Sequence, residues 1–173
     1  MTHQVYEDER GSTVEIVNVP SFNLNIGEFE VSQILESRNR KGVIRGIHYS
    51  DQLNPQTKIV RCVSGHIRDC VVDLRPGSAT FGQYEFFDLS SDSNKTLIIS
   101  SGFGHGFEVV TETATVLYAI QTNFNFDLEY RIDPLDPELA IPWHHSSPIL
   151  SKSDANASSF ADASNKILGK NQF

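Results

Sequence analysis

The amino-acid sequence predicts an all-β domain whose strands form a sandwich or a barrel. Short apolar runs and period-2 alternation dominate the chain as far as about Leu150, and turn-forming residues separate most of these runs. No long amphipathic pattern with helix caps interrupts them. Many short strands at regular spacing are typical of sandwiches and barrels.

Eight strands follow from this pattern, and turn chemistry marks most of the boundaries between them. Ser64-Gly65 predicts a tight hairpin connection, while Arg75-Pro76-Gly77-Ser78 and Ser90–Asn94 predict longer turns. After Ser151 the chain becomes rich in Ser, Ala and Asn, which predicts a short terminal helix that frays at its end. The predicted strands are Thr13–Val19, Phe29–Ile34, Lys58–Ser64, His66–Asp73, Tyr84–Leu89, Thr96–Ile99, Gly106–Val110 and Ala114–Thr122.

One domain accounts for the whole chain. A chain of 173 residues has the usual size of a single domain, which buries roughly 70% of the surface that the unfolded chain exposes. No internal repeat and no linker divides the sequence. We therefore expect one domain over residues 1–173, and the position of residues 1–34 leaves open an exchange of their strands across a dimer.

The charge distribution argues against a nucleic-acid partner. The chain has 14 basic and 22 acidic residues, its formal net charge is −8, and the basic residues form no run. Binding to duplex nucleic acid requires clustered Lys and Arg that neutralise the phosphates. A small anionic ligand is still compatible with the composition, because a few basic side chains can converge locally.

The sequence also favours a cytoplasmic location. Its start, MTHQVYEDERG, lacks the apolar core of a signal peptide, and no apolar stretch approaches the roughly 18 residues that a membrane span needs. The two cysteines, Cys62 and Cys70, are too few for a disulfide framework. We expect them to be buried free thiols on neighbouring strands.

The segment Gly42–Tyr49 combines a glycine and a histidine within an apolar strand. Strand alternation would place Gly46 and His48 on one face and Arg45 and Ile47 on the other. A glycine beside a histidine leaves room for a ligand to approach the backbone. The alternative is a core histidine whose hydrogen bonds are satisfied within the protein.

Four other polar residues are candidates for a functional site, and each could instead have a purely structural role. Lys58 begins a strand, where a surface lysine is the alternative. His105 lies in SSGFGHGF, which resembles a loop entering a strand at a pocket rim, although an incidental histidine in a turn fits equally. Tyr118 lies in an apolar strand, where a core tyrosine bonded to backbone is usual. Asp154, by itself, fits a helix-capping or solvated acid.

The spacing of the histidines disfavours a metal site. Such a site needs three or four convergent His, Cys or carboxylate ligands. Metalloproteins of the cupin type usually have two histidines two residues apart and a following Glu, whereas Ser50 stands two residues after His48. His144 and His145 are adjacent and would face opposite ways on a strand. The sequence also contains no glycine-rich nucleotide motif and no G-x-S-x-G nucleophile motif.

In their order and spacing, these segments resemble the dTDP-4-dehydrorhamnose 3,5-epimerase family, whose members are RmlC-like cupins. The similarity extends from EDERG at residues 7–11 to Asp154, which is most of the chain. It is specific to the family and much less specific to one substrate. The segments that carry it are GVIRGIHY, PQTKIVRCVSGHIRDCVVDLRPGSATFGQYEFFDLS, SSGFGHGF, ETATVLYA, DPELAIPW and SPILSKSD.

The resemblance implies a cupin-type jelly-roll β-barrel, a homodimer, and catalysis with neither metal nor organic cofactor. The implied substrate is a dTDP-4-keto-6-deoxyhexose. The implied reaction is inversion at C3, C5 or both during deoxysugar biosynthesis, with double epimerisation favoured over single.

The catalytic groups of the family correspond to four residues of this sequence. His48 would be the base, and Asp154 would orient it and stabilise its charged form. Tyr118 would be the acid on the opposite face of the sugar, and Lys58 would stabilise the enolate oxygen. These residue types suit the reaction, because a proton beside a ketone is acidic only when the resulting charge is delocalised onto oxygen.

The family pattern implies substrate contacts at eight further positions. Arg45 would hold the diphosphate, and His105 would also hold the substrate. Tyr6, Arg10 and Glu15 fall where family members reach into the nucleotide site of the neighbouring subunit. The other three positions are Gln33, Phe124 and Asp69, the last being a pocket acid without a specified role.

Two positions depart from the family pattern. The family often has an Asn two residues after the glutamine, where this chain has Leu35. It also often has a Tyr six residues after the catalytic tyrosine, where this chain has Phe124. The loss of polar pocket groups can change selectivity strongly. The substrate therefore need not be the ordinary rhamnose precursor.

Three other functions stay open from the sequence alone. A ketoisomerase would move the keto group between C3 and C4 on a related barrel, although the RGIH and LY segments favour an epimerase. A non-catalytic module would bind the sugar nucleotide without turnover. A metal-dependent cupin oxygenase is the most distant alternative.

Overall fold

The computed structural model describes residues 1–18, 29–50, 55–122 and 129–169. Within these ranges the secondary structure is almost entirely strand, with two short α-helices and a 3₁₀ turn at Ser91–Ser93. The strands are β1 (Val5–Asp8), β2 (Gly11–Val14), β3 (Gln33–Arg40), β4 (Ile44–Ser50), β5 (Lys58–Ser64), β6 (His66–Asp73), β7 (Tyr84–Ser90), β8 (Leu97–Ile99), β9 (Phe103–Val109), β10 (Thr113–Ile120) and β11 (Glu129–Arg131). The helices are α1 (Lys152–Ala155) and α2 (Phe160–Gly169).

Two antiparallel sheets form the body of the molecule, as predicted for a jelly-roll barrel of the cupin type. The four-stranded sheet has the order β3-β10-β5-β8, and the five-stranded sheet has the order β11-β4-β9-β6-β7. From β3 onward the chain changes sheet after every strand except β6, so residues close in sequence end on facing walls. A third unit, the hairpin β1–β2, pairs with neither sheet among the described strands.

An apolar core fills part of the space between the two sheets. Val60, Cys62, Phe107 and Val116 are among its fully buried members and come from both sheets. Their burial stabilises the sandwich by about 25 cal/mol for each Å² of apolar surface removed from water. Further along the same strands, polar side chains replace apolar ones, and a cavity opens there.

The C-terminal part of the chain covers the outer face of the five-stranded sheet. Phe160 and Ala163 of α2 pack against Ile47 on β4 and Val72 on β6. Before α1, Ile149 pairs with Val43 in a parallel bridge beside β4. This bridge directs the chain back over the sheet, so that α1 contacts β4.

The sequence predicted some strand boundaries and missed others. Lys58–Ser64 and His66–Asp73 are confirmed to the residue, and Gly65 adopts a φ of 78° in the hairpin between them. The predicted strand Phe29–Ile34 is wrong, because the strand begins only at Gln33 and continues through polar residues to Arg40. The first predicted strand was too long, since β2 ends at Val14.

The two cysteines are free and buried, as expected, but they do not lie on adjacent strands of one sheet. Cys62 on β5 faces the core between the sheets, and Cys70 on β6 packs under the C-terminal segment. The two strands are consecutive in the chain and belong to different sheets. No helix in the described parts of the chain is long and apolar enough to cross a lipid bilayer.

Candidate active site

A cavity of about 380 Å³ lies between the two sheets and is lined by polar groups from both. Six of the residues predicted from the sequence line it, and Leu35, Ser37, Glu129 and Arg131 lie among them. The six are Arg45, His48, Lys58, His105, Tyr118 and Asp154.

A register slip in β4 brings Arg45 and His48 to the same cavity. Simple alternation placed them on opposite faces, and that prediction is wrong because the pairing with β9 shifts between these two residues. Gly46 lies at the shift with a φ of 122°, and a Cβ there would be 2.5 Å from the Cα of Gly106. The glycine therefore makes room for the backbone of β9.

His48 forms a short hydrogen bond with Asp154, and both residues line the cavity. Nε2 of His48 lies 2.7 Å from Oδ1 of Asp154. Asp154 is held in place because its backbone N–H donates to the side chain of Ser151, which caps α1. Burial opposes the ionisation of Asp154, but the hydrogen bonds from His48 and Ser151 and the charge of Arg131 outweigh it, so its pKa lies below the ordinary value.

This hydrogen bond defines the tautomer of His48. An ionised carboxylate only accepts hydrogen bonds, so Nε2 of His48 carries the hydrogen that Asp154 receives. In the neutral imidazole the lone pair then lies on Nδ1. Nδ1 is 3.8 Å from the carboxylate of Glu129.

Glu129 links the cations on this side of the cavity. Its Oε1 accepts a hydrogen bond from Nζ of Lys58 at 3.4 Å, and its Oε2 accepts one from Nη2 of Arg131 at 2.9 Å. The side chains of all three residues are 12–13% exposed. Burial lowers the pKa of Lys58, and the neighbouring Glu129 carboxylate opposes that shift.

His105 belongs to a second histidine–carboxylate pair, which is more deeply buried. Its Nε2 lies 2.8 Å from Oδ2 of Asp69, whose side chain is fully inaccessible. Burial raises the pKa of Asp69, although His105 and Lys58 oppose the shift. The ring of His105 meets that of Tyr118 edge to face at 6.4 Å, so this pair borders the phenol.

Tyr118 and Arg45 are connected through two residues of β3. The Tyr118 hydroxyl lies 3.4 Å from Oγ of Ser37, and Nδ2 of Asn39 donates to the same Oγ at 3.0 Å. Nε of Arg45 donates to Oδ1 of Asn39 at 2.7 Å. Burial raises the pKa of Tyr118 well above its ordinary value, and the hydrogen bond with Ser37 opposes that shift. The phenol is therefore protonated at neutral pH.

Among the described residues, the remaining predicted contacts do not line this cavity. Gln33 is the first residue of β3 and lies outside the described cavity lining. Tyr6, Arg10 and Glu15 are at the N-terminal hairpin, where Arg10 pairs with its neighbour Asp8 and Tyr6 is 58% exposed. Phe124 lies outside the described residues.

Sequence reasoning missed Glu129, Arg131, Ser37 and Asn39. Glu129 and Arg131 are two residues apart on β11, which has only three residues and gave no strand signal. Ser37 and Asn39 also alternate, on a stretch whose mixture of charged and polar residues concealed a strand. Their period-2 spacing is the one signal that could have found them. Within the described ranges, no three His, Cys, Asp or Glu residues are grouped so as to hold a metal ion.

Comparison with known proteins gives a consistent result across sequence and structure. The family model described as dTDP-4-dehydrorhamnose 3,5-epimerase matches residues 1–162. The chain is 36% identical over 166 residues to a dTDP-4-dehydrorhamnose 3,5-epimerase of Mycobacterium tuberculosis, which covers 94% of this chain and 82% of that protein.

Two solved structures share the fold closely. One is NovW, a 4-keto-6-deoxy sugar epimerase from the novobiocin gene cluster of Streptomyces spheroides. It has a TM-score of 0.92 and 38% identity, covering 96% of this chain and 84% of that one. The other is ChmJ, a 3'-monoepimerase from Streptomyces bikiniensis in complex with dTDP-quinovose. It has a TM-score of 0.92 and 34% identity, covering 97% and 86%.

Proposed function

The chain belongs to the dTDP-4-dehydrorhamnose 3,5-epimerase family, and we propose that its cavity inverts carbon centres beside the keto group of a dTDP-4-keto-6-deoxyhexose. It is a carbohydrate epimerase of deoxysugar biosynthesis. Inversion at both C3 and C5 is the preferred form of the proposal, and inversion at one of them is the alternative. Similarity to both 3,5-epimerases and a 3'-monoepimerase supports either form.

The observation that carries the proposal is the position of His48 and Tyr118 on opposite walls of one cavity. His48 belongs to the five-stranded sheet and Tyr118 to the four-stranded sheet, and both line the same space. Inversion requires that a proton leave one face of the sugar and return on the other. A base and an acid on facing walls meet that requirement without any rotation of the substrate.

In the proposed first step, Nδ1 of His48 removes the proton from the carbon beside the ketone. The electrons of the broken C–H bond delocalise onto the carbonyl oxygen and form an enolate. Asp154 stabilises the resulting imidazolium through the hydrogen bond at Nε2. Lys58 stabilises the enolate oxygen, where the negative charge develops. General base catalysis of this kind contributes about 10²–10⁴-fold to the rate.

In the second step, the hydroxyl of Tyr118 gives its proton to the same carbon from the opposite face. A new C–H bond forms, the enolate electrons return to make the carbonyl, and a phenolate remains. The phenol is suited to this role because burial keeps it protonated until the carbanion forms. Proton exchange with water then restores His48 and Tyr118, so the reaction needs no oxidant or reductant.

We assign substrate binding to groups on the same walls. Arg45 would hold the diphosphate, with its guanidinium oriented by Asn39. His105 would contact the sugar, and Asp69 would hold the ring of His105. Gln33 and Phe124 would contribute further contacts, as the family pattern implies. Leu35 gives the cavity an apolar wall beside Tyr118, where the family pattern often has an amide.

We also propose that the enzyme works as a homodimer in which the β1–β2 hairpin reaches the partner's nucleotide site. Tyr6 is exposed on this hairpin, Arg10 lies at its turn and Glu15 directly follows β2. Exposure of an aromatic and a cation together fits contact with a nucleotide base and its phosphates. A mass measurement in solution should give two chains, and Arg10→Ala should weaken dTDP binding without dissociating the dimer. A monomer with wild-type affinity for dTDP would contradict this arrangement.

A cytoplasmic location completes the proposal. The free, buried thiols of Cys62 and Cys70 fit a compartment where thiols stay reduced. Cell fractionation would test the location, and recovery of the protein outside the cytoplasm would contradict it.

The decisive experiment for the activity is incubation with dTDP-4-keto-6-deoxyglucose in heavy water, followed by NMR of the product. We expect deuterium at C3, C5 or both, together with inversion at the labelled carbons. An unlabelled substrate would refute the epimerase proposal. A product whose keto group has moved to C3 would instead identify a ketoisomerase.

A further inference from the structure

We infer that Glu129 is a positioning residue for Lys58, keeping its amine charged and holding it at the cavity wall where the enolate oxygen would form. The inference rests on the proposed function, because it concerns the charge that stabilises the enolate. Glu129 lies in none of the sequence segments that carry the family resemblance.

The geometry shows one carboxylate shared by three groups. Each oxygen of Glu129 has its own cationic partner, Oε1 with Lys58 at 3.4 Å and Oε2 with Arg131 at 2.9 Å. Oε2 also lies 3.8 Å from Nδ1 of His48. The hydrogen bond from Arg131 is shorter than the one from Lys58, so Arg131 anchors the carboxylate. It thereby fixes the direction from which Glu129 meets Lys58.

A buried lysine needs such a partner if it is to act as a cation. The side chain of Lys58 is only 12% exposed, and burial favours the neutral amine. Glu129 provides the largest opposing interaction, through both its charge and its hydrogen bond, whereas Arg131 acts in the opposite direction. A neutral amine would leave the developing oxyanion without a countercharge, so the contact with Glu129 that favours the ammonium would also favour stabilisation of the enolate.

Other charged groups around the cavity do not replace Glu129 in this role. Asp69 favours the charged form of Lys58 but contributes least among the groups that act on it, and its hydrogen bond is made with His105. Asp154 pairs with His48. The remaining titratable or charged side chains that line the cavity are Glu36 on β3, Arg45 on β4, His105 on β9 and Tyr118 on β10.

The test compares the pH dependence of kcat for wild type and Glu129→Gln. The amide keeps the shape of the side chain and can still accept a hydrogen bond, but it removes the charge. We expect kcat of the variant to fall on the alkaline side of neutrality, approaching the roughly 10²–10³-fold loss expected for Lys58→Gln. It should recover as the pH is lowered, because more acid restores the ammonium. A loss that is the same at every pH would show a merely structural role and overturn the inference.

A double-variant comparison separates action through Lys58 from independent action. In a Lys58→Gln background, Glu129→Gln should change kcat by no more than about twofold, because the group on which it acts is absent. Losses that multiply would overturn the inference. The matched control is Glu112→Gln, which breaks a surface carboxylate–lysine pair with Lys41 and should leave both kcat and the pH profile unchanged.

Two further measurements keep the outcome decisive. If Glu129→Gln does not fold, the Lys58 amine can be observed in wild-type protein labelled with ¹⁵N-lysine and assigned by its loss in Lys58→Gln. An ammonium at neutral pH supports the inference and a neutral amine overturns it. If wild type itself exchanges no proton of the substrate, the proposed function has failed. If the wild type turns the substrate over but the pH profile of Glu129→Gln is unaltered, only the role of Glu129 is refuted and the proposed function stands.

Discussion

Two histidine–carboxylate pairs, each with its histidine on the cavity wall, have hydrogen bonds of nearly equal length and very different surroundings. His48 is 2.7 Å from Asp154 and its side chain is 23% exposed. His105 is 2.8 Å from Asp69, its side chain is 6% exposed, and that of Asp69 is completely buried. Asp154 reaches its histidine from a helix far along the chain, whereas Asp69 and His105 lie on adjacent strands β6 and β9.

The difference shows that the same pair of residue types can serve proton transfer or rigid positioning. His48 faces the cavity on one side and its carboxylate on the other, so its charge can change during the proposed reaction. His105 is enclosed between Phe107 and Tyr118, where a change of charge would cost far more. We therefore expect the first pair to control turnover and the second to control the shape and stability of the site.

The largest effect expected from this contrast is that of His48→Asn. The variant removes the base but keeps a polar side chain of similar size, so kcat should fall by about 10²–10⁴-fold while the fold is retained. Deuterium incorporation measured by NMR and the far-UV CD spectrum would check both expectations. The matched control is His66→Asn, which breaks a surface histidine–carboxylate pair with Asp88 and should leave turnover unchanged. Deuterium incorporation at the wild-type rate in His48→Asn would contradict the expectation that this pair controls turnover.

Asp154→Asn should have the next largest effect, on the order of a 10²-fold loss of kcat. The imidazole stays in place, but it loses the carboxylate that fixes its tautomer and stabilises its charged form. The control is Asp88→Asn on the surface, for which no change is expected. Equal kcat for wild type and Asp154→Asn would show that His48 needs no partner.

Asp154→Asn should also change how the unfolding free energy depends on pH. The pKa of Asp154 lies below its ordinary value in the folded protein, so ionisation stabilises the fold above the unfolded pKa of about 3.9. This contribution is lost as the pH falls through the folded value. The difference in unfolding free energy between wild type and Asp154→Asn should therefore be present at neutral pH and shrink below about pH 4. Denaturant titrations at several pH values would measure it, and a difference that grows on acidification would contradict the assignment.

The predictability of the fold depended on whether a strand carries its own signal. β5 and β6 are short, largely apolar segments joined by Ser64-Gly65, so their boundaries followed from the sequence. β3 did not, because Glu36, Arg38 and Arg40 on its outward face are charged and Ser37 and Asn39 on its inward face are polar. A strand that lines a polar site lacks the apolar alternation by which strands are recognised.

Site residues that lie in family-like sequence segments could be predicted. Those that reach the cavity only through pairing between distant strands could not. His48, Lys58, Tyr118 and Asp154 lie in segments that resemble the family, and the structure brings them to one cavity. Arg131 enters the same cavity because β11 pairs with β4 and places it opposite His48. That register depends on strands some eighty residues apart, which no local pattern encodes.

Breaking the second pair should act on stability more than on turnover. Asp69→Asn leaves an amide that can still accept from His105, but it replaces the carboxylate acceptor of a buried hydrogen bond with a weaker, neutral one. We expect a loss of about 1–3 kcal/mol in unfolding free energy, measured by denaturant titration. The surface control Asp88→Asn should cost no more than about 1 kcal/mol. A large fall in kcat with unchanged stability would mean that the buried pair also transfers protons.

The smallest effect concerns the wall opposite His48, where Ser37 contacts the hydroxyl of Tyr118. Ser37→Ala removes the hydrogen bond that Asn39 donates to Oγ at 3.0 Å and the contact with the Tyr118 hydroxyl, which is long at 3.4 Å and whose net contribution is therefore at most about 0.5–1.5 kcal/mol. The hydrogen bond from the Ser37 hydroxyl lowers the pKa of Tyr118, against the effect of burial. It therefore stabilises the phenolate that is left after proton donation. We expect kcat for inversion to fall by roughly two- to tenfold, the rate equivalent of that energy.

A comparison of two rates separates this role from a general disturbance of the cavity. Proton removal by His48 does not use Ser37, so exchange of the substrate proton with heavy water should decline less than inversion does. Ser32→Ala is the matched control, since its hydroxyl bonds to a backbone carbonyl at an exposed site just before β3. Equal losses of exchange and inversion would place the effect of Ser37 on the His48 side. The two walls would then share a single polar network, and the division of labour between base and acid would not hold.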